Sequence, residues 1–283
     1  MQELSTITTD RLSLPELVQK NCRAAVLRLD KIHPVVSGNK WFKLKYYLEE
    51  ATKARAETLL TFGGAYSNHI VAAAYAAKEA GFRSAGVIRG ERPRRLSPTL
   101  EAAIAYGMQL FFVSRPAFKN KEQAGEVQAL LRRLSNCYLI PEGGAGEPGI
   151  KGCKEILPLA DNHNTYSHIL CASGTGTMGI GLARSAAPHQ QVISVPVLKG
   201  MDSPAGEYHF GGYAKKTPEL LAFMNNFYER TGIPTDFVYT GKLVYAFTDL
   251  LRNGFIKPGS NILLIHSGGL QGNASLPEGA LHY

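Results

Sequence analysis

The sequence predicts an α/β fold, and three observations carry that prediction. Short apolar runs rich in β-branched residues alternate with glycine-containing turns and helix-like stretches along most of the chain. No internal repeat or low-complexity tract breaks the alternation. The 283 residues, 45% hydrophobic and 19% charged, suffice for one large domain or two smaller ones with substantial cores.

The strand-like runs are, in order, 57–62 (ETLLTF), 84–88 (SAGVI), 109–113 (QLFFV), 138–140 (YLI), 168–172 (HILCA), 192–197 (VISVPV) and 261–265 (NILLI). Most lead into a glycine turn or a helix, as parallel strands must, since each needs a crossover connection. The helix-like stretches are 43–54, 67–80, 98–106, 119–133, 176–187, 218–231 and 241–253. Ser67 is placed to cap the second of these and Gly81 to stop it. The segment 141–152, PEGGAGEPGIKG, breaks the pattern most sharply and reads as a domain crossover. The chain is then expected to form a smaller α/β domain over 43–150 and a larger one from 1–42 plus 151–283. A second long loop, 198–217, holds MDSPAGEYHFGGYAKK, too rich in glycine and aromatics for an idle linker.

Composition excludes several function classes. No apolar run approaches the roughly 20 residues that span a bilayer, and the start, MQELSTITTDRL, lacks the basic flank and apolar stretch of a secretory signal. A cytoplasmic protein with no membrane partner is expected. Cys22, Cys137, Cys153 and Cys171 are scattered, without a C-x-x-C pair or histidines at zinc-ligand spacing, so neither a metal site nor a disulfide framework is expected. The net charge of +8, from 31 Lys and Arg against 23 Asp and Glu, suits phosphate and carboxylate ligands. Its dense stretches, Lys40/Lys43/Lys45 and Arg89/Arg92/Arg94/Arg95, are short and carry no nucleic-acid-binding motif, so no nucleic-acid partner is expected.

The strongest local signal is 171–181, CASGTGTMGIG, which follows an apolar strand and opens a helix. Backbone N–H groups at a helix N-terminus, unobstructed at Gly174 and Gly176 and joined by the hydroxyls of Ser173, Thr175 and Thr177, would cradle a phosphate. The bland alternative is a tight strand–helix turn. Gly174, Gly176 and Gly179 also fit G-x-G-x-x-G, but the next strand ends in PVLK and Asp202 lies beyond it, so the ribose-binding acid of a dinucleotide site is missing. No Gly-Lys-Ser/Thr follows either, which leaves a phosphate without a nucleotide.

Other turns carry chemistry-bearing residues. Lys40, in SGNK, reads on spacing alone first as an exposed charge, and otherwise as an amine that forms an imine with an aldehyde. In TFGGAYSNH, Ser67 and Asn68 stand where a helix begins, as plain caps or as the binding site for a substrate carboxylate. His69 is either structural or a base. The segments FVYTGK, with Tyr239 and Thr240, and HSGGLQG, with Ser267, put further hydroxyls at turns.

Taken together and in this order, GNKWFKLKYYL, GGAYSNH, SGTGT, VYTGK and HSGGLQG resemble the family of 1-aminocyclopropane-1-carboxylate (ACC) deaminase and D-cysteine desulfhydrase, over about residues 27–272. The resemblance implies pyridoxal 5'-phosphate as cofactor and the tryptophan-synthase-β-like fold type II, two open three-layer α/β/α domains with mostly parallel sheets and a cofactor cleft between them. It implies a homodimer and a small amino-acid substrate. By the same likeness Lys40 matches the lysine of the internal aldimine, Asn68 the partner of the cofactor's phenolic oxygen, and Ser173 to Thr177 the phosphate loop. Ser67 matches a hydroxyl beside the substrate carboxylate implicated in proton transfer and, with Asn68 and His69, the substrate-binding turn; Tyr213 and Tyr239 match catalytic tyrosines near the substrate and ring, and Thr240 and Ser267 match partners of the pyridine nitrogen.

One departure bears on the reaction. ACC deaminases resemble one another in having a glutamate where this chain has Thr240. A hydroxyl sustains a weaker electron sink than a carboxylate, so α,β-elimination, with D-cysteine giving pyruvate, ammonia and hydrogen sulfide, is expected ahead of ACC ring opening. A protein that binds pyridoxal phosphate or another small phosphate without turnover is the alternative of another class.

Overall fold

The computed structural model describes residues 4–134, 136–200 and 203–283. Its strands are β1 (Thr9–Leu12), β2 (Arg23–Arg28), β3 (Thr58–Gly63), β4 (Arg83–Arg89), β5 (Met108–Val113), β6 (Cys137–Ile140), β7 (His168–Ser173), β8 (Gln191–Pro196) and β9 (Asn261–His266). Its α-helices are α1 (Pro15–Gln19), α2 (Asn39–Lys53), α3 (Asn68–Glu79), α4 (Pro98–Ala105), α5 (Arg115–Asn120), α6 (Gly125–Arg133), α7 (Glu147–Cys153), α8 (Thr177–Ser185), α9 (Pro218–Thr231) and α10 (Thr240–Arg252). The chain divides into two compact units, a larger one of Met1–Asn39 with Cys153–Tyr283 and a smaller one of Lys40–Gly152.

In the larger unit the sheet order is β1-β2-β9-β7-β8, with β1 antiparallel to β2 and the rest parallel. Nearly every residue of β2, β7 and β9 is buried, which requires cover on both faces and explains their unbroken apolar runs. Helix α10 packs on β7, while α8 packs on β7 and β8. The core between sheet and helices is built from Leu170, Val195, Phe247 and Leu264. In the smaller unit the order is β5-β4-β3-β6, all parallel, with a core around Leu60, Phe62, Val87 and Val127.

Strand order fixes where each unit can bind a ligand. From β7 the chain moves outward to β8, then returns to lay β9 on the other side of β7. From β3 it moves to β4 and β5, then returns to lay β6 on the other side of β3. Such reversals open a crevice beyond the carboxyl ends of the central strands, because the flanking connections leave in opposite directions. The turns at those ends are the ones singled out by sequence: residues 173–177 after β7, 267–272 after β9, and 63–68 after β3.

Several elements differ from expectation. Strands β1 and β2 were absent from the sequence reading, because TDRL is short and RAAVLR is alanine-rich with charged ends, yet β2 is buried in the sheet. The helix expected over 119–133 is two helices, parted where Lys121 takes φ 51°; its ammonium donates to Phe118 O and lies over the Phe118 ring. The expected crossover at 141–152 contains helix α7 rather than loop alone. Of the loop at 198–217, Met201 and Asp202 lie outside the described residues.

Candidate active site

Lys40 stands in the first turn of α2, which begins at Asn39, four residues before the helix expected from sequence. The approach to it is pinned within the larger unit. Gly38 N–H donates to Leu29 O, and Asn39 N–H donates to Ser267 O. The backbones come so close that a Cβ built on Gly38 would lie 1.8 Å from Ser267 O, and Gly38 has φ 64°. Asn39 Nδ2 also reaches Met178 Sδ on α8, at 3.5 Å. The residue before Lys40 therefore touches both the HSGG turn and the first turn of α8.

A buried ionic brace supports this crossing. Arg28 donates Nε and Nη2 to the two carboxylate oxygens of Asp30 at 2.9 and 2.7 Å, and Asp30 Oδ1 lies 3.2 Å from His266 Nδ1. Burial opposes ionisation of Asp30, but the Arg28 hydrogen bond and the charges of His266 and Arg28 outweigh it and hold its carboxyl below the usual range.

The turn after β7 is a ready anion cradle. Gly176, the residue ahead of α8, has φ 77° and no side chain of its own to compete for the first N–H groups of the helix, the groups that suit an anion. A Cβ on Gly176 would meet nothing within 4 Å, so it is the positive φ and not crowding that favours glycine there. Ser173 and Thr177 are buried, Thr175 is exposed, and the two threonine hydroxyls lie 2.9 Å apart. On the flank, a Cβ on Gly174 would lie 3.3 Å from Tyr239 Cε1. The Tyr239 ring in turn meets Tyr213 edge-on, with centroids 6.4 Å apart. The larger unit thus brings together Asn39, Ser267, the 173–177 turn, Tyr239 and Tyr213.

Thr240, next to Tyr239, is fully engaged. Its hydroxyl donates to Asp236 Oδ1 and accepts the Asp236 N–H, both at 2.7 Å. The Asp236 carboxylate, itself fully buried, also accepts the N–H groups of Val238, Tyr239 and Thr240 at the start of α10. Sequence reasoning missed Asp236. An acid four residues ahead of a helix start is an available signal for such a capping network.

In the smaller unit, Ser67 precedes α3 without bonding its side chain to the helix, so the expected capping role is not what its hydroxyl does here. A Cβ on Gly63 would lie 2.8 Å from Ser67 Oγ, so Gly63 makes room for that side chain. Asn68 Oδ1 is buried and without a hydrogen-bond partner, as is His69 Nδ1. His69 lies under the turn, where its Nε2 is 2.8 Å from Thr61 Oγ1. Because Thr61 gives its own proton to Ile140 O, its oxygen accepts from Nε2–H, which leaves Nδ1 as a bare acceptor. Burial, then the charges of Lys40 and Lys43, push the His69 imidazole well below its ordinary pKa, so it is neutral.

These residues fit pyridoxal phosphate on grounds visible in the chain. In the larger unit, a helix start preceded by glycine suits a phosphate; in the smaller, Lys40 supplies an amine of the kind that condenses with an aldehyde, and Asn68 Oδ1 is a buried polar atom still lacking a partner. Among the described residues no cluster of His, Cys, Asp and Glu could hold a metal ion, and no helix is long and apolar enough to cross a membrane.

Comparison with known proteins agrees. The family model described as pyridoxal-phosphate dependent enzyme matches residues 4–205. A Pyrococcus furiosus protein provisionally named ACC deaminase is 29% identical over 84% of this chain and 82% of its own length. An Arabidopsis thaliana mitochondrial protein named as a bifunctional D-cysteine desulfhydrase and ACC deaminase is 26% identical over 84% of this chain and 70% of its own. The solved structure of an ACC deaminase homologue superposes with a TM-score of 0.79 at 26% identity, covering 96% of this chain and 92% of that one. With its mostly parallel sheets in the type II architecture of such enzymes, the chain belongs to the pyridoxal-phosphate-dependent enzyme family.

Proposed function

We propose that this enzyme carries out α,β-elimination on a small amino acid, with D-cysteine as preferred substrate, giving pyruvate, ammonia and hydrogen sulfide. The observation that carries this reading is the engagement of Thr240 with Asp236. Its hydroxyl hydrogen is already donated, so this position offers the pyridine nitrogen a neutral oxygen. The nearby carboxylate of Asp236 is occupied by the start of α10. A free carboxylate there would keep the nitrogen protonated and deepen the electron sink, which ring opening of ACC requires and loss of a thiol does not.

Bound pyridoxal phosphate supplies an aldehyde for the substrate amine and a conjugated ring that withdraws electrons from the α-carbon. In this reading Lys40 holds the cofactor at rest, and the α8 start with Ser173, Thr175 and Thr177 holds the phosphate. Ser67 and the first N–H groups of α3 bind the substrate carboxylate, and Asn68 orients the cofactor's phenolic oxygen. Once displaced, Lys40 Nζ takes the α-proton. The Cβ–S bond then breaks with its electron pair going to sulfur, and Tyr239 and Tyr213 line the path of the departing thiol. Water completes the release of ammonia and pyruvate, so D-cysteine plus one water balances the three products.

Ring opening of ACC is the second reading, favoured by the names of the Pyrococcus and Arabidopsis relatives. One assay separates the two: holoenzyme supplied with D-cysteine is expected to release sulfide and pyruvate, whereas 2-oxobutanoate from ACC without sulfide from D-cysteine would overturn the preference. The homodimer implied by the resemblance belongs to the same reading, and sedimentation velocity checks it.

A further inference from the structure

Lys242 is fully buried, and its ammonium donates to two backbone carbonyls, His209 O and Gly212 O, at 2.9 Å each. A buried lysine is disfavoured by desolvation, and an apolar side chain of similar length would fill the same space without that penalty. Burial pushes the Lys242 amine down to about 8, against the opposing pull of the Asp236 charge. What the ammonium holds is a backbone of unusual shape. Phe210, Gly211, Gly212 and Ala214 have φ of 50°, 94°, 127° and 51°, two of them non-glycine residues in the left-handed region.

The grip extends along one stripe of α10. Tyr245, one turn past Lys242, packs edge-on against Phe210 with centroids 4.8 Å apart, and Asp249 accepts the Tyr208 hydroxyl at 2.8 Å. Residues 242, 245 and 249 thus hold the aromatic loop at 208–212, and Tyr213 follows directly, with its ring against Tyr239. Tyr239 ends the segment that starts α10, so the helix bearing the clamp also bears the ring against which Tyr213 is set.

We propose that Lys242 is a positioning residue: by gripping the carbonyls of His209 and Gly212 it fixes the Tyr213 ring against Tyr239 and so sets the aromatic wall that the substrate meets. The kinetic consequence rests on the proposed role of Tyr213 and Tyr239, whereas the grip on the loop does not. The test is hydrogen exchange across residues 203–217 together with steady-state kinetics, on holoenzyme carrying Lys242→Met. Losing charge-assisted hydrogen bonds to a buried turn is expected to speed exchange at Gly212 and Lys215 by about tenfold or more. KM should rise by about the same factor with a smaller change in kcat, while the cofactor's visible spectrum stays as in the parent enzyme.

If Lys242→Met does not fold, Gly212→Ala strains the same turn from the accepting side, since φ 127° disfavours a side chain, and is read in the same way. Unchanged exchange over the turn would overturn the clamp. Faster exchange with unchanged KM would overturn its bearing on substrate. Absence of turnover on both D-cysteine and ACC in the parent enzyme would count against the functional reading, with exchange still deciding the clamp.

Discussion

In the proposed function the chemistry centres on Lys40, whose position follows from its neighbours. Asn39 and Gly38 are fastened to Ser267 and Leu29, so the lysine leaves a rigid anchor and enters a helix. Lys40→Ala is expected to remove the cofactor's covalent attachment, read as loss of the visible absorption band and of the mass adduct after borohydride reduction. His69 yields a pH prediction. Its imidazole in the folded protein stays neutral well below 6.5, while in the unfolded chain it takes a proton near 6.5. The unfolded state therefore binds more protons as pH falls, so His69 makes stability fall on acidification below about 6.5. His69→Gln should flatten that slope in unfolding midpoints measured between pH 5 and 7.

At the scale of elements, turns do the positioning, and glycine allows the closest approach. Gly38→Ala would drive a methyl group into the Ser267 carbonyl as well as strain φ 64°, so a loss of at least ~3 kcal/mol, the range of severe core defects, is expected in denaturant unfolding. Gly176→Ala faces open space and strains φ only, which predicts a smaller loss of about 1 kcal/mol and weaker cofactor retention on dialysis. These turns were legible in the sequence because glycine and hydroxyl residues after an apolar run have few other uses. Strands β3, β4, β7 and β9 were legible because burial on both faces leaves a continuous apolar signature. Asp236 and Lys242 were not, since a charged residue beside a helix start looks the same whether it caps, clamps or faces water. The break at Lys121 was hidden because no glycine or proline marks it, and β2 because its ends are arginines.

At the scale of the whole molecule, several buried groups set the response to alkali. Burial pushes Tyr47 up to about 12 and raises Tyr138 and Tyr208 as well, the last two aided by carboxylate partners. Folded, these phenols keep protons that the unfolded chain loses from about pH 10, so their contribution to stability declines above that value. Lys242 acts oppositely: its amine is lowered to about 8 from 10.5, so the penalty for its buried charge is relieved as pH rises between those values. Thermal midpoints are expected to hold or rise slightly from pH 8 to 10 and then fall, and Lys242→Met should remove the rising part.

The strand order also carries a consequence for how the protein is made. Strand β9 fills the place between β2 and β7, with Arg23 paired to Asn261, while every strand of the smaller sheet lies within residues 40–152. As the chain leaves the ribosome, the smaller sheet can close early, but the larger one has a gap one strand wide until residue 266 emerges. Ribosome-bound chains stopped short of Asn261 should already protect the smaller unit from protease. The anchor for the segment ahead of Lys40 arrives with Ser267, so the residue before Lys40 is fastened only after that turn has emerged, by which time the whole of residues 40–152 is already free to fold.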